Sequence, residues 1–465
     1  MSALITERLG EYLAGLRADK LSAEVRDKAA SCFFDAVGLG IAARAEPATV
    51  AFGRTIHRFG PGEGLVRLWA DEGAAVATEA VAANAFAAHA RFQDDCDMAS
   101  WAHPGSLVVP AAVACAELSG DGIDAVLRGI VAGYSVIHWL GGGGLGLSMV
   151  RRGFRTSPTY GGIGAAAAAS VVLGLDPRRA AHAVAMAAGI AGGVLDTVRS
   201  GSSDFRLQNA AAASQGLVAA LAAREGIDGS ATMFDSEVGF LNCFAGSGDT
   251  GTFPDEPAPE SLLAAWAKPF PALGDNMAVI AAALAVRRQG DLDPAAVRAI
   301  RVHQNADFAA YPGTGYRGPF TRPTQAIAST VYGVAAMLAR GRIRYDDYLG
   351  PLEDAVIMGL VGKAEIVPES DFGYLDGVVE VELAEGDRRG SAGDLPSTMF
   401  FRDQDTTTRT LIELFDEVGH ACEDVPGLVD SVYGGRMDEL PVVLNRLCGR
   451  ASSRPVSNQE EGEQR

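Results

Sequence analysis

The run His89-Ala-Arg-Phe92-Gln-Asp94-Asp95-Cys96 leads through a short loop to Trp101-Ala-His103-Pro104-Gly105. Two adjacent carboxylates followed eight residues later by a histidine bring together an acid, a base and a group to orient it, the minimum for general acid–base catalysis. The same two aspartates could instead cap a helix, and the residues alone leave both readings open. Cys96 sits beside both carboxylates, whose charge opposes thiolate formation, so it reads as a pocket-lining residue rather than a nucleophile. His138 and His182 lie in apolar helical stretches and read as core or interface histidines. His57, His303 and His420 are peripheral. The glycine run Gly141 to Gly146 follows a helical pattern, lacks Gly-Lys-Ser/Thr and has no βαβ context, which makes it a helix junction rather than a phosphate loop.

The elements that must hold these residues are mostly helices. Ser22 is placed to cap a helix whose apolar stripe runs through Val25, Ala29, Cys32, Phe33, Ala36 and Val37. A small-residue helix from Gly161 to Leu173 stops at Gly174, and a new one starts with Asp176 as N-cap and Pro177 in its first turn. Another runs from about Asn209 to Glu225 with alanine on nearly every face, as helices packed closely on all sides require. After one more helix through Val286, β-branched alternation appears at Val297–Asn305 and again at Gly377–Ala384. Thr407–Phe415 and Met437–Leu447 return to helical spacing. The expected fold class is therefore mainly α: a large all-helical domain (residues 1–267, completed by 393–451), a smaller α+β lid domain (268–392), and a polar, disordered tail (452–465).

Composition narrows the partners. The 465 residues carry 58 acidic against 39 basic side chains, a formal charge of −19, which repels nucleic-acid phosphate and anionic lipid. The expectation is no nucleic acid and no membrane, and any anionic small-molecule substrate needs a locally basic pocket. Six scattered cysteines form neither CxxC pairs nor Cys/His clusters with zinc spacing, so no metal site is expected and a reduced, cytoplasmic setting is the simpler reading. The N-terminus lacks the basic start and apolar run of a signal peptide.

Taken with its surroundings, the His89–Gly105 segment resembles the MmgE/PrpD family, which includes 2-methylcitrate dehydratase, cis-aconitate decarboxylase and iminodisuccinate epimerase. The family segment reads roughly His-Ala-x-Asp-Phe-Asp-Asp-Thr, then a loop and His-Pro before a proline-alanine helix start. Asp35-Ala-Val-Gly-Leu-Gly, Gly164-Ala-Ala-Ala-Ala-Ala with Leu173-Gly-Leu-Asp176, the Gly216–Gly226 run and Gly239-Phe240 extend the likeness. Lys268-Pro-Phe-Pro271 and Tyr332-Gly-Val-Ala-Ala-Met-Leu-Ala-Arg-Gly341 carry it into the second domain. It implies a helical body with a lid, a homodimer, and an interdomain cleft where small carboxylic acids react with no metal or organic cofactor.

Position by position, the resemblance is uneven. His103 matches the loop histidine and Tyr332 the tyrosine of the second domain. Phe92 stands where decarboxylase-like members have their first aspartate, Cys96 where they have threonine, and Arg155 where they have a second histidine. Phe205 falls on an expected lysine, with Arg206 beside it, and Met277 on a further histidine, just after Asp275. The trio Phe92, Phe205 and Met277 implies a pocket that has exchanged charge for apolar surface. Such a pocket disfavours a tricarboxylate, because each unpaired buried carboxylate costs several kcal/mol.

The expected function is a cofactor-independent lyase or isomerase acting next to a carboxylate or carbonyl, on a substrate less charged than citrate, in a setting such as specialised metabolism. His103 would exchange the proton and Tyr332 act as acid or hydrogen-bond donor. Arg155 or Arg206 would hold a carboxylate or enolate, and Asp94 would orient or tune His103. Phe92, Cys96, Phe205, Met277 and Asp275 would line the substrate. Two alternatives stay open: a cyclisation template or ligand-binding protein that has lost the chemistry, and an ordinary 2-methylcitrate dehydratase with a divergent pocket.

Overall fold

The structure, a computed structural model, describes residues 3–16, 21–57, 65–246 and 256–449. The tail expected to be disordered, 452–465, lies outside the described residues. Helices dominate, and their ends follow the local chemistry. Ser22 Oγ accepts from Val25 N at the start of Ala23–Ala42, and Asp176 accepts from Arg179 N to open Pro177–Gly189. The small-residue run forms Thr156–Val172, buried at all 17 positions, and the alanine-rich run forms Phe205–Arg224.

Close packing of these two helices explains their composition. A Cβ added at Gly216 would lie 2.3 Å from the Gly162 carbonyl oxygen and 2.6 Å from the Ala165 Cβ, so only hydrogen fits where the backbones meet. The glycine run also has a packing role. The Ile123–Leu140 helix ends there, and a Cβ on Gly141 would fall 2.2 Å from the Ser100 Cα. That loop carries His103, so the glycines let the helix end press directly on it. Ile123–Leu140 is the one described helix long and apolar enough to cross a bilayer, and 83% of it is packed inside the fold.

Two cores divide the apolar side chains. The first runs from Leu9 to Ala265 and resumes from Leu411 to Leu447. The second runs from Trp266 to Phe400 and also takes in Phe92, Cys96 and Phe205 from the earlier part of the chain. It is built on a four-stranded sheet in the order 364–369, 297–305, 377–383, 388–391. Val297–Asn305 pairs parallel with Ala364–Glu369 and antiparallel with Gly377–Leu383, and the Met277–Arg288 helix lies against the sheet. Alternation reveals the two central strands but not the flanking ones. Ala364–Glu369 holds Pro368 and lies at an edge, and Arg388–Ser391 is four residues long.

Replacing Gly216 by alanine should destabilise the protein. Alanine gains up to about 1 kcal/mol of helix propensity, but the clash with Gly162 costs about 1–3 kcal/mol. A lower Tm in thermal denaturation is expected; an equal or higher Tm contradicts the packing argument.

Candidate active site

The Ala77–His89 helix ends on His89, and the chain then reverses through Phe92, held at φ 54°. That region is costly for a residue with a Cβ, and Trp101 occupies it too at φ 56°. The reversal lets Asp94 Oδ2 accept a hydrogen bond from His89 Nδ1 at 2.7 Å. Two residues on, Cys96 pairs antiparallel with Trp266 through backbone bonds of 2.8 and 2.9 Å. Antiparallel register sets residue 94 across from residue 268, and Lys268 Nζ lies 3.8 Å from Asp94 Oδ1. Asp95 closes the loop. Its carboxylate accepts from Gly105 N at 2.9 Å and from the Tyr134 hydroxyl at 2.5 Å, while its carbonyl accepts from His103 Nδ1 at 2.8 Å.

These partners fix the state of each imidazole. His89 donates from Nδ1 to Asp94 and accepts at Nε2 from Arg155 Nη2 at 2.5 Å, so both nitrogens are committed. Burial, with Arg155 and Lys268 nearby, pushes its pKa down to about 4 despite Asp94. His103 donates from Nδ1 to the Asp95 carbonyl, with Cys96 Sγ 3.4 Å from the same nitrogen. Among the described residues nothing hydrogen-bonds its Nε2. Burial and Lys268 hold His103 well below the ordinary histidine pKa, so it is a neutral ring with a free lone pair at the half-buried edge of the cluster.

Around that lone pair the charges are unevenly satisfied. Burial opposes ionisation of Asp94, but His89, Lys268 and His103 outweigh it and hold the carboxyl well below its usual range. Asp94 Oδ1, Lys268 Nζ and Asp275 Oδ1 are buried with no hydrogen-bond partner. Burial pushes Asp275 up to about 7, against the pull of Lys268. The Tyr311 phenol, raised by burial, feels Asp275, Arg155 and Cys96, and its ring stacks on Trp101 at 6.1 Å. Burial and its neighbouring carboxylates push the Cys96 thiol far up, with only Lys268 opposing, which keeps it a lining group.

The structure brings together His103, Asp94, Arg155, Cys96 and Asp275 from the sequence-derived set, along with Phe92 and Phe205. The Phe92 and Phe205 rings meet at 4.1 Å with a 35° tilt and flank His89 at 5.7 and 5.2 Å. Met277 is fully buried in the second core. Two expected residues direct their polar groups elsewhere. Arg206 points to the Ala90 carbonyl, Glu46 and Tyr345; one position after Phe205 on a helix, it faces another side. Tyr332 donates to the Leu352 carbonyl at 3.0 Å and packs on Phe320 and Tyr348, so its hydroxyl is spent within the second core. Asp94 orients His89, whereas the backbone of Asp95 orients His103.

Lys268, His89 and Tyr311 carry no role in the sequence reading. Lys268 did leave a signal: it is one of four lysines against 35 arginines, set in the apolar run Trp266-Ala-Lys-Pro-Phe. Tyr311 left none, because only folding brings its loop to Trp101. Elsewhere, a surface cavity of about 810 Å³ lies between Ala421 and Gly449. Its Arg446 is already paired with Asp424 at 3.1 Å, and it offers no base beside a free cation. Among the described residues no group of three or more His, Cys, Asp or Glu side chains is arranged to hold a metal ion.

The tautomer of His103 is directly measurable. In 15N NMR of labelled protein at pH 6, Nδ1 should be protonated and Nε2 bare, whereas an unperturbed histidine with a pKa of about 6.5 is mostly charged there. A doubly protonated His103 ring at that pH contradicts the assignment.

Comparison with known proteins agrees with this architecture. The MmgE/PrpD N-terminal domain matches residues 7–252, just over half of the chain. The cis-aconitate decarboxylase-like protein oryM of Aspergillus oryzae is 28% identical over 418 residues, covering 82% of this chain and 84% of that protein. Such likeness supports chemistry of the dehydratase or decarboxylase type. With the helical body, the His89–Gly105 loop and the family match in agreement, the chain belongs to the MmgE/PrpD family.

Proposed function

We propose that the chain is a cofactor-independent lyase or isomerase that moves a proton at a carbon next to a carboxylate or carbonyl, on a substrate less charged than citrate. One observation carries the reading: the neutral His103, whose Nε2 has no hydrogen-bond partner among the described residues, shares a cluster with the buried Lys268, whose Nζ makes no hydrogen bond and has Asp94 3.8 Å away. His103 Nε2 takes the proton, and a cation meets the negative charge that develops on the enolate or leaving group. Arg155 remains in the cluster, but its guanidinium already serves Phe205 O and His89, which leaves Lys268 as the freer partner. In place of Tyr332, Asp275 supplies the returning proton: a carboxyl raised to about 7 gives up a proton near neutrality.

The apolar Phe92–Phe205 ring pair favours a second reading, in which an apolar substrate is folded for cyclisation or only bound. Solvent exchange separates the two. Incubating cis-aconitate, 2-methylcitrate and a panel of unsaturated monocarboxylates with the enzyme in D2O should give deuterium at carbon or loss of a group for at least one acid. His103→Ala should slow that reaction by about two to four orders of magnitude. Binding without exchange supports the template reading, and rapid turnover of 2-methylcitrate supports an ordinary dehydratase. The proposed setting is the cytoplasm.

A homodimer is part of the proposal. On Phe205–Arg224 the outer face presents Leu207 (49% exposed), Ala211 and Val218 (48% exposed), with Val194 (53% exposed) alongside. A second copy would bury this stripe. Light scattering after gel filtration should show a dimer that Leu207→Glu with Val218→Glu converts to monomer; a monomeric wild type retires the idea.

A further inference from the structure

The Ile123–Leu140 helix meets the His103 loop through two polar side chains that the proposed reaction does not use. The Tyr134 hydroxyl donates to Asp95 Oδ2 at 2.5 Å, and one turn later His138 Nδ1 donates to Asp97 Oδ1 at 2.7 Å. The match follows from spacing. Side chains four apart on a helix share a face and are separated by a rise of about 6 Å. Side chains two apart on an extended segment share a face over about 6.6 Å. Asp95 and Asp97 flank Cys96, which its pairing with Trp266 holds extended. Both carboxylates therefore meet the helix, while Cys96 turns the other way, where a Cβ on Gly274 would lie 2.8 Å from its sulfur.

Each carboxylate passes this hold to a different part of the loop. Asp95 also accepts from Gly105 N, and its carbonyl receives His103 Nδ1 at 2.8 Å. Asp97 also accepts from Ser100 N at 3.1 Å and Ser100 Oγ at 2.5 Å, and its backbone exchanges hydrogen bonds of 2.9 and 3.1 Å with Ala102. Ala102 precedes His103. The residue before the imidazole and the carbonyl that receives its Nδ1–H are thus both tied to one helix face, and Gly141 presses the same helix end onto Ser100. Asp95 and Asp97 are buried, whereas the His138 side chain is 31% exposed. Packing alone is met there by an apolar residue, so what histidine adds is the bond to Asp97.

We infer that Tyr134 and His138 are positioning residues for His103: by holding Asp95 and Asp97 at a fixed spacing, they keep the Asp95 carbonyl on Nδ1 and leave Nε2 bare. Neither touches the reacting atoms. A bond of 2.8 Å lengthened by about 1 Å is no longer a hydrogen bond, and the ring then loses the partner that selects its tautomer. The use made of Nε2 rests on the proposed function, but the state of the ring is a property of the free protein and is measured without a substrate.

The test is 15N NMR of the labelled full-length protein at pH 6, comparing wild type with Tyr134→Phe, His138→Leu and His138→Asn. Asparagine places an amide N–H where Nδ1 stands, and leucine fills the same space without a donor. Tyr134→Phe and His138→Leu should each shift the His103 ratio of Nδ1–H to Nε2–H by about tenfold toward Nε2–H, as the loss of one hydrogen bond to a charged group predicts. His138→Asn should restore the wild-type ratio. A purely structural role lowers Tm in the variants and leaves the tautomer alone, so an unchanged ratio in folded His138→Leu overturns the inference, with or without a folded Tyr134→Phe. A wild-type His138 ring with a bare Nδ1 overturns it too, whatever the variants do. On any acid that exchanges deuterium, kcat should fall about ten- to a hundredfold in His138→Leu with KM unchanged. A shifted tautomer with unchanged exchange retires His103 as the base and keeps the positioning role.

Discussion

The short antiparallel pairing of Cys96 with Trp266 is the contact on which the site depends. Cys96 belongs to a loop whose flanking helices, Ala77–His89 and Gly105–Ser119, pack in the first core, yet Phe92 and Cys96 themselves sit in the second. Two backbone hydrogen bonds therefore join the cores beside His103 and Asp94. Because antiparallel register is fixed once one pair is set, the same bonds deliver Lys268 to Asp94. Neither charge could be buried alone. The pairing places them close enough for attraction to offset part of the desolvation while leaving the ammonium unsaturated.

A second constraint acts on the loop from outside. The end of Ile123–Leu140 presses on Ser100 through Gly141, and His103 N donates to Ser157 Oγ at 3.0 Å on the Thr156–Val172 helix. Asp95 ties the loop's start to its end through Gly105 N and holds the His103 ring with its carbonyl. The imidazole is thus fixed by backbone and helix packing rather than by a charged side chain. That distinction matters for reactivity. A carboxylate partner raises the basicity of a histidine and favours imidazolium, whereas a carbonyl sets the tautomer with less effect on charge. His89, which does have the carboxylate, spends its second nitrogen on Arg155 and has no lone pair left to offer.

How much of this was legible in the sequence follows from which properties are local. Helix caps at Ser22 and Asp176, and strands with alternating β-branched residues, depend on neighbours in the chain and could be read directly. The loop histidine and the adjacent carboxylates could be located by spacing, but their partners could not. Asp94 and Asp95 are one residue apart and point to opposite tasks, the first to His89 and the second to Gly105, because the backbone turns between them. Arg206 failed for the same kind of reason. A helix rotates each successive side chain by about 100°, so a position next to Phe205 cannot inherit its direction. Tyr332 matched a pattern, yet the second core gives its hydroxyl to Leu352.

The apolar replacements gain meaning from what surrounds them. Phe205 lies near two guanidiniums, with Arg155 5.8 Å and Arg206 4.4 Å from its ring centre, and it packs at a tilt against Phe92. An aromatic face attracts cations without neutralising them. Lysine at 205 would add a third cation beside Arg155 and Arg206, and aspartate at 92 would need one. The two phenylalanines form a tilted ring pair that fills volume and leaves the local charge balance to Lys268, Arg155 and Asp94. That wall presents hydrocarbon and no hydrogen-bond donor to its surroundings. The orientation of His103 does not depend on that ring pair, because it comes from the other end of the loop.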